Sequence, residues 1–427
     1  MKKLFKKLSA SMLIVGCIMS SSAFAAELDE RAIEEGTLSG ATAIAEDRYD
    51  EYEFDQTLVD QWDDPIANVG GSTWREMQRP QSASGMDFDA YIRSEIGYFG
   101  LISNSMLVNY GSDLENPENI SYWESVGMKH EAHDIEDVNE DWRVADNAWI
   151  TLTPLSAYEE ENSDRKYPVL FVWHGNGNPI NLAEGYGFGE VAAEKEWIVV
   201  YPWASNDDNY LEEFDRIMEE LRANYPIDEA RIYSTGFSKG SRVTQRLAIE
   251  RADVLAAAVS NGASDAWAFE GREDTAGALA IALTVDDLNG NEAIPIAFFG
   301  GEFDPHWPVD HEGEAEIQAA NNWLTVLGLE ANQSVDQSKN LRKFSDNVVE
   351  QQMGLKFDDT SVVHEDGIDY WIGRFYNEDG ICVLQYTEAG GAIHWPTQYM
   401  SIIAVDFLNQ FAKNVKTGLT EYIGDIS

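Results

Sequence analysis

The chain is poor in cysteine and in positive charge, and it has no long hydrophobic run. Its 427 residues include only two cysteines, Cys17 and Cys382, so a fold stapled by several disulfides is excluded. Lysine and arginine number 29 against 76 aspartates and glutamates, giving a formal net charge of -47. Such a surface repels phosphates, so we expect no nucleic-acid partner. No segment reaches the roughly 18 uninterrupted apolar residues of a membrane span.

Residues 1–25 have the three zones of a secretory signal peptide. Lysines come first, an apolar run follows to Met19, and Ala23-Phe24-Ala25 supplies a cleavage site. We therefore expect a secreted, extracellular protein, and export without disulfides is typical of a bacterial source. The stretch Ile14–Cys17 also resembles a bacterial lipobox, which leaves open a cell-surface lipoprotein with a lipid on Cys17.

Residues 26–141 are interpreted as an acidic N-terminal region of unknown fold. From residue 27 to residue 141 there are 28 acidic residues against six basic ones. The stretch His130-Glu-Ala-His133-Asp134 lacks the H-E-x-x-H spacing of a zinc site, and its surrounding charge favours a solvated loop. We therefore predict no metal site there.

Residues 142–427 show short apolar runs that alternate with helical patterns, which predicts βαβ units and a mostly parallel sheet flanked by helices. The run Tyr167–Trp173 is continuously apolar, as in a strand buried on both faces. Ala148–Leu155 alternates like an early edge strand. Further strands are predicted at 197–201, 231–235, 256–260, 294–299 and 382–386, and helices at 210–225, 314–327 and around Met400–Phe407.

Ser238 is the candidate nucleophile, because it lies in Gly236-Phe-Ser238-Lys-Gly240 between a predicted strand and a predicted helix. This is the pattern of a nucleophile elbow. The glycines two residues before and after the serine are needed because side chains there would collide with the strand or the helix.

Two further residues follow predicted strands and complete a catalytic triad. Sites in α/β sheets form at the carboxyl ends of the strands, and Asp304 and His394 each follow one. The order serine, acid, histidine is that of α/β-hydrolases. His394 would take the proton of Ser238, and Asp304 would hold the imidazole. Open alternatives for the acid are Glu302, Asp310 and Asp265, and those for the histidine are His306, His311 and His364.

The oxyanion that forms during attack needs backbone donors. We predict the N–H of Lys239 as one donor, and the loop after His174 as the source of the other, with Asn176 preferred and Gly175 next. His174 itself is interpreted as structural. The Lys239 side chain either pairs with an acidic neighbour or contacts an anionic substrate group. Candidates for a substrate pocket, with a structural role equally open for the tryptophans, are Trp203, Trp307, Trp395 and His306.

Several segments of the chain match one known family: the strand into His174-Gly175, Ile198–Pro202, Arg231–Gly240, the Gly-x-x-Asp304 segment, Trp323-Leu324 and the glycines before His394-Trp395-Pro396. On these residues the chain from about Trp142 to Lys413 resembles secreted esterases of the polyhydroxybutyrate-depolymerase and feruloyl-esterase type, within the α/β-hydrolase superfamily. The resemblance implies an α/β-hydrolase fold, and the acidic N-terminal region is an extension with no counterpart in it. The resemblance also implies hydrolysis of carboxylic esters through an acyl-serine intermediate, without metal or cofactor, by Ser238, Asp304 and His394.

The expected substrate is a small-molecule or polysaccharide-linked ester, such as an acyl or feruloyl ester of carbohydrate. One alternative is a serine peptidase of the prolyl-oligopeptidase type, although residues 27–141 are too few for the β-propeller of that family. Another is a non-catalytic surface or binding protein with a hydrolase fold, which has no need of all three triad residues. The sequence does not define an oligomeric state.

Overall fold

In a computed structural model of the protein, a ten-stranded sheet forms the centre of the fold. The structure describes residues 114–135, 147–175, 180–203, 209–262, 285–301, 314–330, 355–365, 368–389, 396 and 398–424. The predictions for the signal peptide and for residues 26–113 therefore lie outside the described residues.

The strands are β1 Met128–His133, β2 Trp149–Pro154, β3 Tyr167–Trp173, β4 Ile198–Pro202, β5 Ile227–Phe237, β6 Ala257–Asn261, β7 Ile296–Gly301, β8 Asp359–Glu365, β9 Ile368–Tyr376, β10 Cys382–Ala389, β11 Phe411–Lys413 and β12 Thr420–Tyr422.

The sheet has the strand order β1-β2-β4-β3-β5-β6-β7-β10-β9-β8. Its six central strands, from β4 to β10 in that order, pair in parallel. The pairs at both ends are antiparallel, and a separate hairpin joins β11 and β12. The prediction of a mostly parallel sheet is confirmed.

Helices cover both faces of the sheet, and this explains the apolar runs of its central strands. In β3, Val169 and Phe171 enter one core while Leu170 and Val172 enter the other. The helices are α1 Pro117–Ser125, α2 Phe188–Glu194, α3 Tyr210–Asn224, α4 Lys239–Glu250, α5 Glu314–Val326 and α6 Gln398–Leu408. Residues of α3, α4 and α5 belong to the first core, and residues of α1, α2 and α6 to the second.

Strand β1 corrects two sequence-based predictions. It contains the stretch His130–His133, which we had predicted to be a solvated loop, and the His130 side chain is buried. It also covers β2, which lies between β1 and β4 and so is not an edge strand. The sheet therefore begins before the predicted domain boundary at Trp142, inside the region we treated as separate.

Buried hydrogen bonds fasten α1 and β1 to the rest of the fold. The indole Nε1 of Trp123 donates to Glu184 Oε2 at 2.5 Å. Nε2 of His130 lies 3.3 and 3.4 Å from the two Glu184 carboxylate oxygens. Burial lowers the pKa of His130, but the charge of Glu184 and its hydrogen bond outweigh that effect, so the net pKa is raised. Glu184 belongs to a 3-10 helix, Ile180–Tyr186, which makes this segment the anchor of the N-terminal elements.

Glu190 is the second carboxylate at this contact. Its Oε1 accepts a hydrogen bond from the Tyr122 hydroxyl at 2.8 Å, and its Oε2 is shielded from solvent. Burial raises the pKa of Glu190 from 4.5 to about 7. The folded chain therefore binds this proton more tightly than the unfolded chain, and the contribution of Glu190 to stability falls as the pH rises from 4.5 to 7.

We expect the substitution Glu190→Gln to remove this pH dependence. Relative to wild type, the free energy of unfolding of the variant should increase between pH 4 and pH 8 by on the order of 2–3 kcal/mol, because glutamine has no proton to lose. Urea unfolding at the two pH values measures the change. The matched control is Glu212→Gln, at an exposed position on α3. Equal pH profiles for the two variants would contradict the assignment.

Candidate active site

Ser238 lies on a strained turn between the end of β5 and the start of α4. Its backbone has φ 53° and ψ -110°, a conformation that costs a residue with a side chain about 1–3 kcal/mol. Two backbone hydrogen bonds hold the turn: Ser238 N donates to Asn261 O at 2.8 Å, and Ser241 N donates to Ser238 O at 3.1 Å. The side chain is partly exposed at the carboxyl edge of the parallel strands. This is the geometry of a nucleophile elbow.

The two glycines of the elbow are required by close backbone approaches, as the sequence predicts. A Cβ atom on Gly236 would lie 2.3 Å from the carbonyl oxygen of Gly240. A Cβ atom on Gly240 would lie 2.2 Å from the carbonyl oxygen of Trp173 and 2.8 Å from that of His174. The start of α4 therefore packs directly on the end of β3.

His174 has a structural environment, in agreement with the prediction. Its ring is buried, with Nε2 2.6 Å from the Trp203 carbonyl oxygen and Nδ1 2.8 Å from that of Gly175. Burial lowers the pKa of His174, which favours the neutral ring, and a neutral ring donates from one nitrogen only. The contact between Nε2 and the Trp203 carbonyl oxygen links the ends of β3 and β4.

The structure shows the surroundings of two of the predicted oxyanion donors. The Gly175 N–H donates to the Tyr186 hydroxyl at 3.1 Å, so this amide already has a side-chain acceptor, and its role as a donor to substrate stays a prediction. Asn176 lies outside the described residues. Lys239 is the first residue of α4. Backbone N–H groups at a helix start point outward and can bind an anion.

The structure also decides between the two interpretations of Trp203. This side chain is 4% exposed and belongs to the same core as Trp197 and Tyr201. Its backbone N–H donates to Ala148 O at 2.9 Å. Trp203 is therefore a core residue and not a wall of an open pocket. The other pocket candidates, Trp307, Trp395 and His306, lie outside the described residues.

Asp304 and His394 also lie outside the described residues, but the strands that precede them are described. In the parallel register Phe237 pairs with Asn261, and Asn261 pairs with Phe299. Gly300 of β7 then pairs with Glu388 of β10. Strands β5, β7 and β10 therefore end at about the same height on the carboxyl edge of the sheet. The predicted triad residues Ser238, Asp304 and His394 follow these strand ends within a few residues.

One alternative for the catalytic histidine can be removed. His364 lies on β8, the last strand of the sheet, where its Nδ1 is 2.8 Å from Asp369 Oδ1. Five strand spacings separate β8 from the elbow strand β5, about 24 Å. The alternatives His311, Asp265, Glu302 and Asp310 lie outside the described residues.

The strand order and the elbow together decide the fold assignment. A mixed sheet with a parallel centre carries a strained serine turn between its strand β5 and the following helix, at the carboxyl edge. The chain has the α/β-hydrolase fold. The prediction of this fold, made from the resemblance, is confirmed.

Comparisons with known proteins find an esterase that is similar to part of this chain. No family model matches the chain. Feruloyl esterase D of Neurospora crassa is 30% identical over 121 residues, which are 24% of this chain and 42% of that protein. The chain thus matches less than half the length of this curated relative.

Two solved structures also align with this chain. A feruloyl esterase module from Clostridium thermocellum, complexed with sinapinate, aligns with 12% identity over 66% of this chain and 88% of its own, at a TM-score of 0.38. An S-formylglutathione hydrolase from Staphylococcus aureus aligns with 11% identity over 66% of this chain and 97% of its own, at a TM-score of 0.41. The fold assignment depends on the strand order and the elbow described above.

Sequence patterns missed one residue of this region, Tyr186. It lies between Gly185 and Gly187 and belongs to no motif that we singled out. Its hydroxyl binds the Gly175 N–H, and its ring packs on Phe237, the residue before Ser238. An aromatic residue flanked by glycines could have drawn attention, but its partners are distant in sequence.

Proposed function

We propose that this α/β-hydrolase is a secreted serine esterase that cleaves carboxylic esters through an acyl-serine intermediate. The observation that carries the proposal is the strained turn at the carboxyl edge of the sheet, in which Ser238 has a φ of 53°. A structural serine has no need of such strain, whereas a nucleophile must be presented to substrate in this way. The resemblance to feruloyl esterase D of Neurospora crassa supports an ester as the substrate.

In the proposed reaction His394 takes the proton of the Ser238 hydroxyl while Oγ attacks the ester carbonyl. The tetrahedral oxyanion is stabilised by the backbone N–H groups of Lys239 and Asn176. His394 then gives its proton to the leaving alcohol, and Asp304 stabilises the imidazolium. A water molecule, activated by the same histidine, releases the acid from the acyl-serine. The cycle consumes one water and needs no cofactor.

We propose small-molecule or polysaccharide-linked esters as substrates, with acyl or feruloyl esters of carbohydrate as the first class to test. No helix in the described ranges is both long and apolar enough to cross a membrane. Within those ranges no group of three His, Cys, Asp or Glu side chains could hold a metal ion. The proposed secretion rests on the signal-peptide pattern of residues 1–25, and anchoring through Cys17 is the alternative.

Labelling and a substrate panel test the proposal. A fluorophosphonate probe should label the full-length protein at Ser238, and methyl ferulate or a short p-nitrophenyl ester should be hydrolysed faster than a peptide p-nitroanilide. A folded protein that the probe does not label at Ser238 would support a non-catalytic binding protein. Preference for the peptide substrate would support the peptidase alternative. Either result would overturn the proposed esterase.

A further inference from the structure

Tyr186 contacts three chain segments that lie next to proposed catalytic residues in the sequence. It ends the 3-10 helix Ile180–Tyr186, and its side chain is 1% exposed. The hydroxyl accepts a hydrogen bond from the N–H of Gly175, at the end of β3, at 3.1 Å. The ring contacts the ring of Phe237, with centroids 5.4 Å apart and planes at 65°. One side chain thus contacts both the end of β3 and the residue before the nucleophile.

The third contact leads to the segment that contains His394. The carbonyl oxygen of Tyr186 accepts a hydrogen bond from the buried Ser401 hydroxyl at 2.8 Å. Ser401 lies in the first turn of α6, which begins at Gln398, four residues after His394. The position of this helix is therefore coupled to the same tyrosine.

The hydroxyl of Tyr186 is the only side-chain partner that the described residues offer the Gly175 N–H. A buried N–H that loses its partner is unfavourable, and the backbone shifts to recover a hydrogen bond. The elbow packs on this part of the backbone, because Gly240 approaches the carbonyl oxygens of Trp173 and His174. A shift at Gly175 would therefore change the position of Ser238 relative to the end of β3.

We infer that Tyr186 is a positioning residue, which sets the distance between the end of β3 and the Ser238 nucleophile. The inference rests on the proposed esterase function. Tyr186 does not touch the reacting atoms in this scheme. It acts through Gly175 and Phe237, so its loss should affect the chemical step more than substrate binding. Misplacement of catalytic groups by about 1 Å can lower a rate by about 100-fold.

The test compares Tyr186→Phe with Tyr233→Phe in the full-length protein, with a p-nitrophenyl ester as substrate. Both substitutions remove one hydroxyl from a buried tyrosine that binds a backbone group. The Tyr233 hydroxyl donates to Phe411 O at 2.8 Å, at the β11 hairpin and away from the elbow. We expect Tyr186→Phe to lower kcat about 10- to 100-fold with KM changed by less than about threefold. Tyr233→Phe should change neither by more than about threefold.

Several outcomes would overturn the inference. One is an unchanged kcat in folded Tyr186→Phe, and another is an equal loss of kcat in both variants, which would indicate general destabilisation. If Tyr186→Phe does not fold, Phe237→Leu takes its place, because it removes the ring contact between Tyr186 and the residue before the nucleophile. An unchanged kcat in folded Phe237→Leu also overturns the inference. A wild-type protein that hydrolyses no ester refutes the proposed function itself, so the two failures are distinguishable.

Discussion

Replacing Ser238 with alanine is expected to lower kcat for ester hydrolysis by roughly 10⁶-fold, the loss found when a serine–histidine unit is deprived of its nucleophile. The expectation depends only on the position of Ser238, on the turn between β5 and α4. Alanine fits the same backbone, so the variant should fold, and the binding of a substrate analogue should persist. Steady-state kinetics with a p-nitrophenyl ester measures the loss, and the fluorophosphonate probe should no longer label the protein.

Ser238→Gly separates the backbone strain from the chemistry. Glycine tolerates positive φ without the steric penalty of a side chain. We therefore expect this variant to be as inactive as Ser238→Ala but more stable than it by about 1 kcal/mol, as measured by urea unfolding. Such a pair of results would show that the fold maintains an unfavourable turn in order to present the hydroxyl.

The matched control for Ser238 is Ser241→Ala. Ser241 lies one helical turn further along α4, and its hydroxyl donates to the Ser238 carbonyl oxygen at 2.5 Å. Its removal should lower kcat by no more than about tenfold, because the backbone hydrogen bond from Ser241 N to the same oxygen remains. Retention of more than about 1% of wild-type kcat in Ser238→Ala would contradict the nucleophile assignment.

The central strands could be predicted because their own residues determine their burial. A run such as Tyr167–Trp173 is apolar throughout, and only a strand covered on both faces suits it. Strand β1 was missed because Met128–His133 carries charged and imidazole side chains that favour a loop. Those side chains are accommodated by partners far along the chain, as in the pairing of His130 with Glu184. A local pattern contains no information about such partners.

The elbow was predictable for a similar reason, since both glycines that it needs lie within two residues of Ser238. The role of Gly175 was not, because its N–H is bound by the Tyr186 hydroxyl. In the sequence, a glycine after a strand looks the same whether its backbone N–H faces a ligand or a neighbouring side chain. Trp203 presents the same ambiguity, which only its burial in the core resolves.

Trp123 offers the sharpest test that the N-terminal elements belong to the hydrolase fold. Its side chain is fully buried, and its ring packs so closely on Gly189 that a Cβ atom there would lie 2.3 Å from Cη2. The indole N–H donates to the buried Glu184 carboxylate. Removing the ring therefore leaves a cavity and takes a donor from a buried charge, and each effect is destabilising.

We expect Trp123→Ala to lower the free energy of unfolding by about 3–5 kcal/mol. Urea unfolding followed by circular dichroism measures the change, and Val126→Ala is the control, since Val126 immediately follows α1 and is 38% exposed. The control should cost no more than about 0.5 kcal/mol. Equal, small losses would mean that α1 contributes little to the core. A large loss confined to Trp123→Ala would place the start of the folded unit before Trp142, because a segment outside that unit could not destabilise it by this amount.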